Sequence, residues 1–151
     1  MLKKILSFLF GAYKENASII IKFLGIKFKF RYPVVNQLEE VCCIQGLENI
    51  KKNNTYFPHP IGIVIHPKVK IGKNCTIFQN VTIGDGKFNL ERNTSIPEIG
   101  DNVTICANAV VIGGIRVGNN AVIGAGSVVL KDVPENAVVA GNPAKIIKYK
   151  K

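Results

Sequence analysis

Residues 65–84 read IHPKVKIGKNCTIFQNVTIG, and residues 99–133 read IGDNVTICANAVVIGGIRVGNNAVIGAGSVVLKDV. Divided into sixes, these stretches begin at Ile65, Ile71, Ile77 and Ile83, and again at Ile99, Ile105, Val111, Val117, Ile123 and Val129. Each lead is Ile or Val, and the fifth positions (Val69, Cys75, Val81, Val103, Ala109, Ile115, Ala121, Ser127 and Val133) are small or β-branched. A helix repeats every ~3.6 residues and loses phase with a period of six. A short strand that turns a corner every six residues keeps it, because leads at i and i+4 point the same way. Gly, Asn and Asp cluster where the corners fall, as at Asn74, Asn80, Asp101-Asn102 and Asn119-Asn120. Three sides close one triangular coil of roughly eighteen residues, and coils stack by parallel pairing. The expected fold is an all-β solenoid, a parallel β-helix of hexapeptide repeats.

Working outward, the pattern breaks between Ile83 and Ile99, a gap of sixteen residues where six would keep phase. A loop over residues 85–97 therefore leaves the solenoid, and such excursions from a rigid repeat are where binding groups collect. Upstream, Phe57 and Ile61 fit a lead and a fifth position, with a phase shift at Gly62-Ile63-Val64. Downstream, Pro134 and Gly141-Asn142-Pro143 end the repeat, and residues 134–151 form a cap with Ile146, Ile147 and Tyr149 over the last coil. The solenoid domain is thus placed at residues 51–151. Residues 1–50 form a short α/β extension, basic and apolar. Within it, Ile26, Phe28, Phe30 and Tyr32 alternate with Lys27, Lys29 and Arg31 as in a half-buried strand, and Val34 to Leu47 has rough helical spacing.

The chain has 151 residues and a formal net charge of +10. Residues 1–32 hold seven basic side chains against Glu15, and residues 145–151 hold four Lys and no acid, so the middle is close to neutral. A nucleic-acid partner would need a basic stripe on the folded body, so none is expected. The basic, aromatic segment 1–32 packs on the solenoid or on a neighbouring subunit, or else makes peripheral contact with an anionic membrane. The longest early apolar run, Ile5 to Ala12, is too short to span a bilayer, and no cleavage site follows it. The expected location is cytoplasmic, with the inner face of the membrane as the alternative. Four cysteines lack metal-ligand spacing, and no metal site is expected. The outward positions still carry Val64, Phe78, Val110, Ile112, Val122, Val128 and Leu130, which points to a closed symmetric oligomer.

Only His59 and His66 offer imidazole chemistry. His66 sits at a regular corner beside Pro67. His59 sits in the irregular coil between Pro58 and Pro60, which fix the backbone around it. Imidazole is the side chain suited to general-base work near neutral pH, although a solvated histidine remains an equal reading of the residue alone.

The run Pro58-His59-Pro60-Ile61-Gly62-Ile63-Val64-Ile65, with Gln79-Asn80-Val81-Thr82-Ile83-Gly84, resembles the serine O-acetyltransferase branch of the hexapeptide-repeat acyltransferases. Ile123-Gly124-Ala125-Gly126-Ser127 and Ala140-Gly141-Asn142-Pro143-Ala144-Lys145 resemble its C-terminal signature. The resemblance covers roughly residues 57–147. It implies a left-handed β-helix, a homotrimer, acetyl-CoA as acyl donor and a site in the cleft between subunits. It places the catalytic base on His59. It also implies that Ala107, Gly113, Gly124 and Ala125 line the pantetheine arm and that Lys131 and Lys145 meet CoA phosphates. Three features of the family are missing: its long N-terminal domain, an Asp near Ile44 to Glu48, and a second His where Thr94-Ser95-Ile96-Pro97 stands. In shape the chain resembles the O-acetyltransferases of bacterial capsule and exopolysaccharide synthesis. The expected acceptor is therefore a carbohydrate hydroxyl. The alternatives are a serine O-acetyltransferase of cysteine biosynthesis and a non-catalytic solenoid scaffold.

Overall fold

In the computed structural model, residues 10–15, 18–23, 26–31, 43–44, 50 and 52–150 are described. The chain divides into two compact units, Met1–Gln37 and Leu38–Lys151. This division falls before the expected boundary at residue 50. Strand Cys43–Ile44 explains why: it pairs in parallel with Val64–Ile65 and so belongs to the coils. The same pairing corrects the helical reading of Val34 to Leu47 at Cys43–Ile44; the rest of that segment lies outside the described residues. No described helix is long and apolar enough to cross a membrane.

The first unit contains β1 (Phe10–Glu15), β2 (Ser18–Phe23) and β3 (Ile26–Arg31). They form an antiparallel meander in which Phe10 pairs with Phe23 and Phe23 with Ile26. The alternation read at Ile26, Phe28 and Phe30 is thus a strand.

The second unit is a left-handed parallel β-helix. Its strands are β4 (Cys43–Ile44), β5 (Val64–Ile65), β6 (Lys70–Ile71), β7 (Thr76–Ile77), β8 (Thr82–Gly84), β9 (Glu98–Ile99), β10 (Thr104–Ile105), β11 (Val110–Ile112), β12 (Arg116–Val117), β13 (Val122–Ile123), β14 (Val128–Val129), β15 (Ala137–Ala140) and β16 (Lys145–Tyr149). Every third strand stacks. One side runs β7-β10-β13-β15, the second β4-β5-β8-β11-β14 and the third β6-β9-β12. The leads Ile65, Ile71, Ile77, Ile83, Ile99, Ile105, Val111, Val117, Ile123 and Val129 are all buried, as are the fifth positions from Cys75 to Val133. Hydrophobic burial therefore follows the six-residue period through the whole body. Coil-to-coil amide bonds, such as Thr76 N to Val103 O at 2.9 Å and Thr104 N to Ala121 O at 3.0 Å, satisfy the backbone that burial would otherwise strand.

Two of the three edges are built by asparagine. Asn54, Asn74, Asn102, Asn120 and Asn136 occupy one edge, and Asn80 and Asn108 the next, all with φ between 54° and 60°. Asn tolerates this left-handed conformation better than other L-residues. Its amide also bonds down the edge: Asn54 Nδ2 donates to Asn74 Oδ1 at 2.9 Å, and Asn120 Nδ2 to Asn136 Oδ1 at 3.0 Å. On the second edge, Asn80 Nδ2 donates to Asn108 Oδ1 at 3.2 Å.

The cap differs in part from expectation. β16 runs antiparallel to β15 as an edge strand, and Ile146, Ile147 and Tyr149 are exposed. Closure of the core falls instead to Val139 and Ala137 of β15, with Ala144 packed against it.

Candidate active site

His59 lies on the edge between the first and second sides. The phase shift that displays it is placed by two hydrogen bonds, Ile77 N to Tyr56 O and Asn80 N to Ile61 O, both 2.9 Å. Between them four residues, Phe57 to Pro60, stand over two, Phe78 and Gln79. The surplus pair bulges outward, and the His59 side chain is exposed. Gly62 then takes the left-handed position held by Asn80 in the next coil, with φ of 63°. A Cβ at Gly62 would collide with Asn80 Oδ1. The slip therefore ends at Gly62. Ile61, read as a fifth position, is 60% exposed, and Ile63, fully buried, fills that place.

Below His59 the same edge carries Gln79, then Ala107, then Gly124 and Ala125 in successive coils. At its foot Val128 N donates to Gly141 O at 2.9 Å and Ala144 N to Val128 O at 2.8 Å, which brings the turn before Lys145 under that edge. The structure thus aligns His59 with Ala107, Gly124, Ala125 and Lys145. Beyond Gln79 the edge carries only small side chains, at Ala107, Gly124 and Ala125. Cys106, half-buried beside Ala107, has a thiol pKa pushed up by burial.

Gly113 and Lys131 fall elsewhere, on the edge between the second and third sides, where the 85–97 loop leaves. There Asn89 and Thr94 bond each other in both directions, at 2.8 and 3.2 Å, closing a hairpin. A Cβ on Gly114 would collide with Thr94 O, so only glycine lets this hairpin lie against the coil. Arg92 donates two bonds to the Asp132 carboxylate, at 2.9 and 2.8 Å. Asp132 also accepts the Arg116 amide at 2.9 Å. The Arg92 hydrogen bonds hold the Asp132 carboxyl below its ordinary range. Between loop and edge runs a groove of about 460 Å³, lined by Lys87, Phe88, Leu90, Leu130 and Lys131.

His66 lies at the upper end of this second edge. Its Nδ1 accepts the Lys68 amide at 3.2 Å, a bond that ties the ring into its own turn. Asp85, at the loop base, is held below the usual carboxylate range by the Ser95 hydroxyl first and the Gly86 amide second. A larger hollow of about 710 Å³ covers the third side. Three of its charges pair, Lys70 with Glu98 at 2.9 Å and Arg116 with Glu98 at 3.1 Å; Glu135 also lines it, and it holds no imidazole. Among the described residues no group of three or more His, Cys, Asp or Glu side chains is placed to hold a metal ion.

The small residues of the His59 edge are among the expected site residues, and Gln79 is not. The signal was present, since Gln79 occupies the column that later holds Ala107 and Ala125.

Residues 97–131 match the profile of the family described as bacterial transferase hexapeptide (six repeats). A serine acetyltransferase of Staphylococcus aureus is 47% identical over 94 residues, covering 62% of this chain and 43% of the relative. Two solved structures are similar in fold. A serine acetyltransferase of Neisseria gonorrhoeae in complex with serine has a TM-score of 0.56 at 41% identity, over 63% of this chain and 38% of that one. A serine acetyltransferase of Brucella abortus in complex with coenzyme A has a TM-score of 0.57 at 38% identity, over 64% and 38%. The chain spans less than half the length of these relatives. Their names overturn the expected carbohydrate acceptor and the likeness to capsular and exopolysaccharide enzymes. That expectation rested on the missing histidine at Thr94–Pro97 and the short N-terminal extension, whereas the coils themselves match enzymes that act on serine.

Proposed function

We propose that this chain, which carries the bacterial transferase hexapeptide repeat, is an acetyl-CoA-dependent O-acetyltransferase whose acceptor is the hydroxyl of serine. The observation that supports it most is the His59 edge: an exposed imidazole at a backbone bulge, above a track of small residues at Ala107, Gly124 and Ala125. A slender acyl-pantetheine arm fits such a track, and a bulky one-sided groove would not be needed. Acetyl-CoA enters as a substrate. Lys145 at the foot of the edge suits the CoA phosphates. Gly113 and Lys131 lie on the other edge, so they serve the same arm only if a neighbouring subunit supplies them. A closed homotrimer, with one subunit's His59 edge facing the next subunit's loop edge, brings both sets together. The half-buried Phe78, Val110, Ile112, Val122 and Val128, together with the exposed Val64 and Leu130, provide apolar surface for that contact.

In the reaction His59 takes the proton from the serine hydroxyl as its oxygen attacks the thioester carbonyl. The tetrahedral oxyanion is held by backbone amide donors. Collapse breaks the carbon–sulfur bond, and the leaving thiolate recovers the proton from the His59 imidazolium. The products are O-acetylserine and CoA, with no acyl-enzyme.

The test is to incubate the purified chain with acetyl-CoA and serine and to follow free thiol. Serine-dependent thiol release supports the reading, and its absence at millimolar serine overturns it. Calorimetric titration with CoA separates an enzyme from a solenoid scaffold, which would bind none.

A further inference from the structure

Among the described residues, the edge that carries His59 has two polar groups without partners, one on each of two stacked coils. The Oε1 atom of Gln79 is buried and has no hydrogen-bond donor among the described residues. The His59 ring likewise makes no hydrogen bond among them. A buried carbonyl oxygen left unpaired costs on the order of 1–3 kcal/mol, so a native fold keeps one where something comes to meet it.

We infer that Gln79 is the positioning residue for His59, accepting the ring N–H that faces the coil and leaving the outer nitrogen free as the base. This rests on the proposed function for its catalytic meaning, but the contact itself can be tested without it. Three observations carry the inference. First, the bulge of Phe57 to Pro60 is seated on Phe78 and Gln79, between the Tyr56–Ile77 and Ile61–Asn80 hydrogen bonds. Stacked strands lie about 4.8 Å apart, a distance that a glutamine side chain bridges. Second, the Gln79 backbone is fixed, because its carbonyl accepts the Asn108 amide at 3.0 Å. Third, the stacked segments 56–62, 77–80 and 105–108 contain no Asp, Glu, Lys or Arg. The other titratable groups there are the Tyr56 hydroxyl and the Cys106 thiol. No carboxylate in these segments competes for the ring. In the coils below, the column of Gln79 holds Ala107 and Ala125, so the amide appears only under the histidine.

A general base needs one nitrogen bare and the other held, which is the role an acceptor on the far side of an imidazole performs. A neutral amide does this without stabilising the imidazolium as a carboxylate would.

The experiment is an NMR titration of ring-¹⁵N-labelled protein. The chain has two histidines, so His66→Gln assigns the His59 signals. In Gln79→Glu, the new negative charge should raise the His59 midpoint by about 1 unit or more. In Gln79→Ala, the ring should lose its preference for one tautomer. Thiol release with serine should fall about 10-fold or more in Gln79→Ala, mainly in kcat. It should recover in Gln79→Glu with the acid limb of the profile moved to higher pH. Unchanged His59 titration and tautomer in both folded variants overturn the inference and point to a buried water under the bulge. If neither wild type nor variants turn over serine but the NMR shifts appear, the positioning contact stands and the proposed acceptor falls.

Discussion

The edge between the first and second sides is built several times, and its passage at Pro58–Gly62 differs from the later ones. At Cys106–Asn108 two small steps lead into a left-handed asparagine, and at Gly124–Gly126 a glycine takes that place with φ of 65°. At Pro58–Gly62 the same destination is reached with two residues more, and an imidazole stands outside. The later corners lower the free energy of the stack; the one at His59 gives up regularity to display a base. The difference teaches that a solenoid acquires chemistry by locally failing to repeat, while its neighbours hold the failure in place.

Substitutions along this edge can break that division. The largest effect belongs to His59→Ala, which should cut serine-dependent thiol release by at least about 100-fold, the usual worth of a general base, without moving the thermal midpoint. Full activity in that variant would remove the base from the mechanism. Gly62→Ala should affect both activity and folding. Its added Cβ meets Asn80 in a left-handed backbone, at a cost of about 1–3 kcal/mol read by chemical denaturation, and the bulge above shifts. Asn108→Ala should cost about 1 kcal/mol of stability and spare kcat, whereas Asn108→Gly should cost less, since glycine accepts the conformation and loses only the bond from Asn80. A loss of kcat matching that of His59→Ala would show that the regular corners are not mere support.

The smallest effect concerns the other edge. The carboxyl pKa of Asp132 is lowered in the folded chain, so its contribution is complete above the ordinary aspartate range, near pH 4. It is lost as pH falls through the depressed value. Because Asp132 is more than half exposed, solvent screens the pair, and Asp132→Asn should shift the melting midpoint by no more than a few degrees at neutral pH. The gap between variant and wild type should close in acid. A gap that widens in acid would mean that the Arg92–Asp132 pair is not what holds the loop.

Much of the solenoid could be read in one dimension because its contacts repeat. Ile77 stacks on Ile105 and Ile105 on Ile123, so one rule of spacing states many tertiary contacts. The same rule failed where the period changed. Counting by four from Phe57 puts Ile61 inward because it ignores residues that bulge; the surplus pair shows only in the hydrogen bonds on either side of His59. Likewise Val34 to Leu47 offered rough helical spacing, yet Cys43–Ile44 is claimed by the sheet, since pairing with Val64–Ile65 satisfies backbone groups on an otherwise open coil edge.

By itself the sequence determined the repeat, its buried leads, its asparagine corners and the exit of the 85–97 loop. These follow from residue type at fixed spacing, which local sterics and burial decide. Only the tertiary structure decided which residues share an edge. Ala107, Gly124, Ala125 and Lys145 fall in line with His59, Gly113 and Lys131 do not, and the unpaired amide oxygen of Gln79 lies one coil beneath the imidazole. Those relations depend on how far each coil is offset from the next, and that offset is set by hydrogen bonds between residues some twenty positions apart.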